Sequence, residues 1–112
     1  MFCQLRGSKF VRLIDPKERE NLYLYDDLMR QNSSQVDVEN PDLIKFPLFS
    51  NVKCYDSVVE EGQCLFIPKG WFHHVRALEP SISASICCCV WASALRVISI
   101  KAQPIVSSLS QF

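Results

Sequence analysis

The stretch Gly62 to Leu78, Gly-Gln-Cys-Leu-Phe-Ile-Pro-Lys-Gly-Trp-Phe-His-His-Val-Arg-Ala-Leu, limits the folds open to this chain more than any other. Cys64 to Ile67 is an apolar, β-prone run, and Pro68 and Gly70 punctuate it. Proline has no N–H to give to a ladder, so the strand is expected to stop at Ile67. A second strand then opens on His73 and His74, which are the only 2 histidines in 112 residues. Side chains alternate across a strand, so His73, Val75 and Ala77 share one face while His74, Arg76 and Leu78 share the other. One histidine is expected to point into the fold and the other away from it.

The same grammar of short strands and turns runs through the rest of the chain. Phe2 to Leu5 and Phe10 to Ile14 flank Arg6-Gly7-Ser8-Lys9, a hairpin signal with Gly7 supplying the turn dihedral. Asp15 is placed to cap one helical turn over Lys17 to Asn21, with Pro16 at its first position. Asn21 to Asn40 reads as a long irregular segment anchored by Tyr23, Leu24, Tyr25, Leu28 and Met29, with a short strand over Ser33 to Val38. Asn40-Pro41-Asp42 opens a brief helical stretch that Pro47 is expected to stop. Val52 to Val59 is a strand, Glu60 to Gln63 a tight turn, and Ser81 to Ile86 a half-buried alternating strand. Five to seven short strands with a short helical insert indicate an all-β sandwich or barrel.

Composition narrows the class. A hydrophobic fraction of 48% is that of a globular chain, and the length suits one small domain or a piece of a larger one. Net charge is zero, with 12 basic and 12 acidic residues spread widely, so there is no clustered basic face for direct nucleic-acid binding. Ile86 to Ile100 is apolar but interrupted by Ser93, Arg96 and Ser99, too short and too polar to span a membrane, and Lys101 to Phe112 reads as a loose tail. The N-terminus lacks the apolar core of a secretory signal. Cys3, Cys54, Cys64 and Cys87 to Cys89 are therefore expected to be reduced thiols, small buried hydrophobes in a nuclear or cytoplasmic protein. Three consecutive cysteines point to alternate faces of a strand and make no zinc pattern.

The residues that carry chemistry are few. An inward histidine at the start of a strand is one element of a 2-His-1-carboxylate iron site, and is equally a hydrogen-bonded core residue. Such a site takes its other two ligands from an H-x-D or H-x-E pair, and here His73 and His74 are followed two positions on by Val75 and Arg76. Lys9, at the end of the Gly7 turn, is either a solvated turn lysine or a fixed ammonium for a carboxylate.

Leu65 to Leu78 followed by Ser81-Ile-Ser-Ala-Ser85 resembles the second metal-ligand strand of the Jumonji C (JmjC) oxygenases. Gly7-Ser-Lys-Phe-Val-Arg-Leu-Ile-Asp-Pro16 resembles their Gly-x-Lys strand, and Asn32 to Pro47 resembles the insert of one subgroup. The resemblance runs from about Gln4 to Ser85. It implies a double-stranded β-helix (jelly roll, cupin-like) that binds Fe(II) and 2-oxoglutarate and acts on protein side chains, by hydroxylation or by demethylation of N-methyl-lysine. On that pattern His73 corresponds to the distal iron-binding histidine and Lys9 to the lysine that pairs with the far carboxylate of 2-oxoglutarate. Trp71 and Phe72 correspond to packing residues, and His74 stands where a tyrosine is usual.

The departures are as informative. The H-x-D pair of the family lies on the strand before the Gly-x-Lys strand, and the chain begins after that point. Ser85-Ile-Cys-Cys-Cys89 stands where the family carries Ser-Phe-Trp-Trp, so residues 1–86 are expected to form a partial JmjC domain, incomplete on its N-terminal side, and 87–112 a divergent tail. Two function classes follow. One is an oxygenase portion, inactive alone, whose parent takes a protein or peptide substrate; the other is a non-catalytic interaction module that keeps the surface of Asn32 to Pro47. A cupin-like binder of another metal or small ligand would need several inward ligands, and the sequence offers one histidine.

Overall fold

The structure, a computed structural model, describes residues 1–87 and 96–103. Seven strands are seen among them: β1 (Phe2–Arg6), β2 (Lys9–Ile14), β3 (Cys54–Val59), β4 (Cys64–Leu65), β5 (Phe72–Ala77), β6 (Ser81–Cys87) and β7 (Arg96–Gln103). They form two antiparallel sheets, one ordered β4-β1-β6-β7 and the other β3-β2-β5. The all-β, jelly-roll type of fold expected from the sequence is therefore present, as a partial double-stranded β-helix.

The Gly7 turn is not a hairpin. β1 pairs with β6 (Gln4 opposite Ser83) and β2 pairs with β5 (Val11 opposite Val75), so Gly7 and Ser8 carry the chain from one sheet to the other. Leu78 to Pro80 makes the same crossing beside it. The Leu78 amide donates to the Ser8 carbonyl at 3.1 Å, and the Ser8 hydroxyl to Glu79 Oε1 at 2.7 Å. Gly7 has φ +71°, and a Cβ there would sit 2.5 Å from the Pro80 carbonyl oxygen. The local turn chemistry was legible, but the partners are set far along the chain, about eighty residues away for β1 and about sixty for β2.

Other elements fall where short-range chemistry puts them. Asp15 accepts from the Lys17 amide at 2.9 Å and caps a 3-10 helix over Pro16–Leu22. The Glu60–Gln63 turn closes with a Gln63 to Glu60 backbone bond of 3.0 Å, and Gly62 has φ +81°. Ser33 to Val38 is not a strand. It makes one isolated bridge, Leu24 with Ser34, and its alternation instead drops Val36 and Val38 into a core. Pro47 starts a 3-10 helix (Pro47–Asn51) rather than stopping one, since proline fits the first position of a helix as well as it ends one. The strand expected over Cys64 to Ile67 shortens to Cys64–Leu65, and the tail expected from Lys101 is strand as far as Gln103. Cys88, Cys89 and residues 104–112 lie outside the described residues.

Two cores result. One lies between the sheets: Phe2, Val11 and Val59, with Leu13, Leu65, Ile67 and Val75 against them. The other covers the outer face of the β3-β2-β5 sheet, where Ile14 and Phe72 meet Leu22, Val36, Val38, Phe46 and Phe49 from the long segment between β2 and β3. Both faces of that sheet are thus packed. The reduced-thiol expectation fails at one pair: Cys3 and Cys64, opposite each other on β1 and β4 with Cα atoms 4.1 Å apart, form a disulfide.

Candidate functional site

Two rows of side chains face the space between the sheets. On the three-stranded sheet Lys9 stands beside Ala77, Val11 beside Val75 and Leu13 beside His73, so Lys9 and His73 share the inner face of neighbouring strands. Their four-residue offset places the two Cα atoms about 14 Å apart along the strand direction. Tyr55 continues the Leu13–His73 row on β3, and its ring lies 5.7 Å from that of Trp71. Lys9 is 3% exposed, which removes the solvated-turn reading. Its ammonium lies 5.7 Å from the centroid of the Phe2 ring on the opposite sheet.

The facing wall is more polar than the sequence suggested. Gln4 and Ser83 are buried opposite each other, with the Ser83 hydroxyl donating to Gln4 Oε1 at 2.6 Å and Gln4 Nε2 donating to the Arg6 carbonyl at 2.7 Å. Ser81 Oγ, also buried, has no hydrogen-bond partner among the described residues. The alternation Ser81-Ile-Ser-Ala-Ser held the signal, since its serines fall on one face; Gln4 could have been found only through its β6 partner.

The two histidines separate as the alternation requires, but the outward one is the better buried. His73 is half-buried on the inner face, with Nδ1 3.4 Å from the Trp71 carbonyl and no partner for Nε2 among the described residues. His74 points to the outer face and is 1% exposed, because the long segment closes over it. His74 Nε2 lies 2.5 Å from Glu39 Oε1, and the carboxylate can only accept, so Nε2 carries the proton. Arg76 Nε donates to both Glu39 oxygens at 2.9 Å. Arg12 donates to the Val38 carbonyl and forms a two-pronged bond to Asp56, at 2.7 and 2.6 Å. The guanidinium groups of Arg12 and Arg76 each lie 5.6 Å from the centroid of the Phe10 ring. Burial alone would raise the Glu39 carboxyl, but hydrogen bonds from Arg76 and then His74 hold it below its ordinary range. The Arg12 hydrogen bond does the same for Asp56.

The candidate carboxylates for a metal are otherwise engaged. Asp15 caps a helix, and Asp37 accepts from the Glu39 and Asn40 amides. No group of three His, Cys, Asp or Glu side chains suited to a metal ion occurs among the described residues. The donors present do not fit an iron ion by themselves, since one inward imidazole is a single ligand of the three such a centre needs. Lys9 and Ser81 are both buried toward the same interior, and the Ser81 hydroxyl is unspent among the described residues.

A family model described as a cupin-like domain matches residues 1–91. Lysine-specific demethylase 8 of Xenopus tropicalis is 45% identical over 83 residues, 74% of this chain and 19% of the relative. This chain belongs to the cupin-like JmjC family. Lysine-specific demethylase 8 is also the subgroup that the Leu65 to Ser85, Gly7 to Pro16 and Asn32 to Pro47 stretches together resemble. Lysine-specific demethylase JMJ30 of Arabidopsis thaliana is 40% identical over 85 residues, 76% of this chain and 20% of that protein. The human tRNA wybutosine-synthesizing protein 5 is 37% identical over 86 residues, 77% and 26% respectively. The JmjC chain described here spans about a fifth to a quarter of the length of these curated relatives.

Proposed function

We propose that this chain is the part of a JmjC oxygenase domain that carries one iron ligand, His73, and the cosubstrate lysine, Lys9, in an enzyme acting on protein side chains. Fe(II) and 2-oxoglutarate, the cofactors that the JmjC resemblance implies, would supply the oxidising chemistry. The observation that carries the reading is the shared inner face: a buried cation at Lys9 and an imidazole with an uncommitted Nε2 at His73, on adjacent strands of a cupin-like domain. An extended lysine side chain and a dicarboxylate laid end to end suit the ~14 Å between them. Tyr55 and Trp71 sit in the row beside His73 and would border an entering side chain. The chain by itself supplies one of three iron ligands and is inactive alone; it acts in the nucleus or cytoplasm.

Two measurements test this. Succinate formation from 2-oxoglutarate with Fe(II), ascorbate and oxygen is expected to stay at the level of free iron for the 112-residue chain; iron-dependent turnover would overturn the inactivity claim. In NMR titrations, millimolar 2-oxoglutarate is expected to shift resonances of Lys9, Gln4 and Ser83, and to shift none of them in Lys9→Met. Equal shifts in that variant would remove Lys9 from the site.

A second reading has its own observation. Ile44 is 97% exposed and Leu43 46%, on the segment held against the outer sheet face. Such a surface suits a protein-interaction module that works without metal, and metal-independent binding of a peptide by the folded chain would favour it.

A further inference from the structure

Cysteine placement marks a site that the JmjC chemistry does not use. β4 is an edge strand of two residues, paired to β1 through Phe2 with Leu65 and Cys3 with Cys64. Cys3 is half-buried and Cys64 exposed. Leu65, next to Cys64, packs in the core between the sheets, and the following turn leads into β5 and His73. A covalent link here joins residues 61 apart in sequence and holds the short edge strand against β1.

We propose that Cys3 and Cys64 form a reversible thiol–disulfide modification site, exchanging with a low-molecular-weight disulfide of the glutathione class. One thiolate attacks glutathione disulfide, forms a mixed disulfide and expels one glutathione thiolate. The second cysteine then attacks the protein sulfur of the mixed disulfide and expels the other. The cysteine pair loses two electrons and two protons, and glutathione disulfide gains the electrons as two thiols. Two features suit the pair to exchange. The antiparallel register sets Cys3 directly opposite Cys64, so pairing of β4 with β1 brings the two sulfurs together. Cys64 on the sheet edge is open to a small attacking thiol. Cys54 provides the contrast: it is half-buried on β3 beside the Val52 carbonyl, burial pushes its thiol up, and it is free of any disulfide. Linking a long loop restricts the unfolded chain, so the oxidised form gains stability.

The test is to equilibrate the full chain in glutathione buffers of high and low disulfide content, alkylate, and digest with trypsin plus a protease that cuts after glutamate. This separates Gly62–Lys69 from the Cys54 peptide. A crosslink between Met1–Arg6 and Gly62–Lys69 is expected in the oxidising buffer alone, with a melting temperature about 10 °C above that in the reducing buffer. In Cys64→Val the two buffers are expected to give one melting temperature, near that of the reduced wild type. Alkylation of both cysteines in both buffers would overturn the proposal, as would a redox-dependent melting temperature that survives in Cys64→Val.

Discussion

The two faces of the β3-β2-β5 sheet use neighbouring residues for opposite ends. On the outer face Ile14, His74 and Phe72 are buried under a segment of the same chain, and every charge described there has a partner: Glu39 with His74 and Arg76, Arg12 with Asp56. On the inner face Lys9 and Val11 are sealed, while Leu13, His73 and Val75 stay half-buried. The outer face is finished by its own chain and reads as support. The inner face carries a buried lysine and a half-buried imidazole beside a small apolar core, opposite the Ser81 and Ser83 hydroxyls. Adjacent histidines thus differ by one residue in sequence and by their whole environment.

The sharpest way to break this contrast is to cut into the outer core. Ile14→Ala is expected to cost about 3 kcal/mol, because Leu22, Val36 and Phe72 cannot all collapse into the void, whereas Val75→Ala on the inner face is expected to cost about 1 kcal/mol. Urea denaturation of both variants reads the difference. The histidines repeat it on a smaller scale. His74→Ala removes a buried ring and one partner of Glu39, with an expected loss of about 2 kcal/mol, and His73→Ala is expected to lose less than about 1 kcal/mol. Equal losses would mean that the faces are not different in kind.

The smallest effect concerns pH. Glu39 and Asp56 are held below their unfolded values, so the unfolded chain binds more protons through the carboxylate range. Their contribution is present above about pH 5 and is lost as pH falls through the folded-state values. Glu39 is partly screened by water, and its share is on the order of 1 kcal/mol. In Glu39→Gln the fall in stability between about pH 5 and pH 3 is expected to be shallower than in the wild type, which denaturation at each pH would show.

How much of this could be read from sequence follows the range of each interaction. The Asp15 cap, the Gly62 turn and the alternation of β5 depend on residues within a few positions, and all are present as expected. The crossing at Gly7, the Cys3–Cys64 bond and the Glu39–His74 pair join residues 35 or more apart, or depend on such pairings, and no local pattern announces them. His74 shows the limit best. Alternation gave its face correctly, and exposure was the natural inference, but Glu39, in an irregular part of the long segment, closes over it. The candidate site was legible in part for the same reason: Lys9 and His73 sit in recognisable strands, while Gln4 and Ser83 become a polar wall only when β1 meets β6.

Diethyl pyrocarbonate labelling of the native chain tests the division of the two histidines most directly, with fragmentation of the tryptic peptide Gly70–Arg76 locating the adduct. His73 is expected to react in the native state, and His74 only after denaturant opens the Glu39 contact. Modification of His74 first, or of both at one rate, would contradict the assignment of one face to chemistry and the other to support.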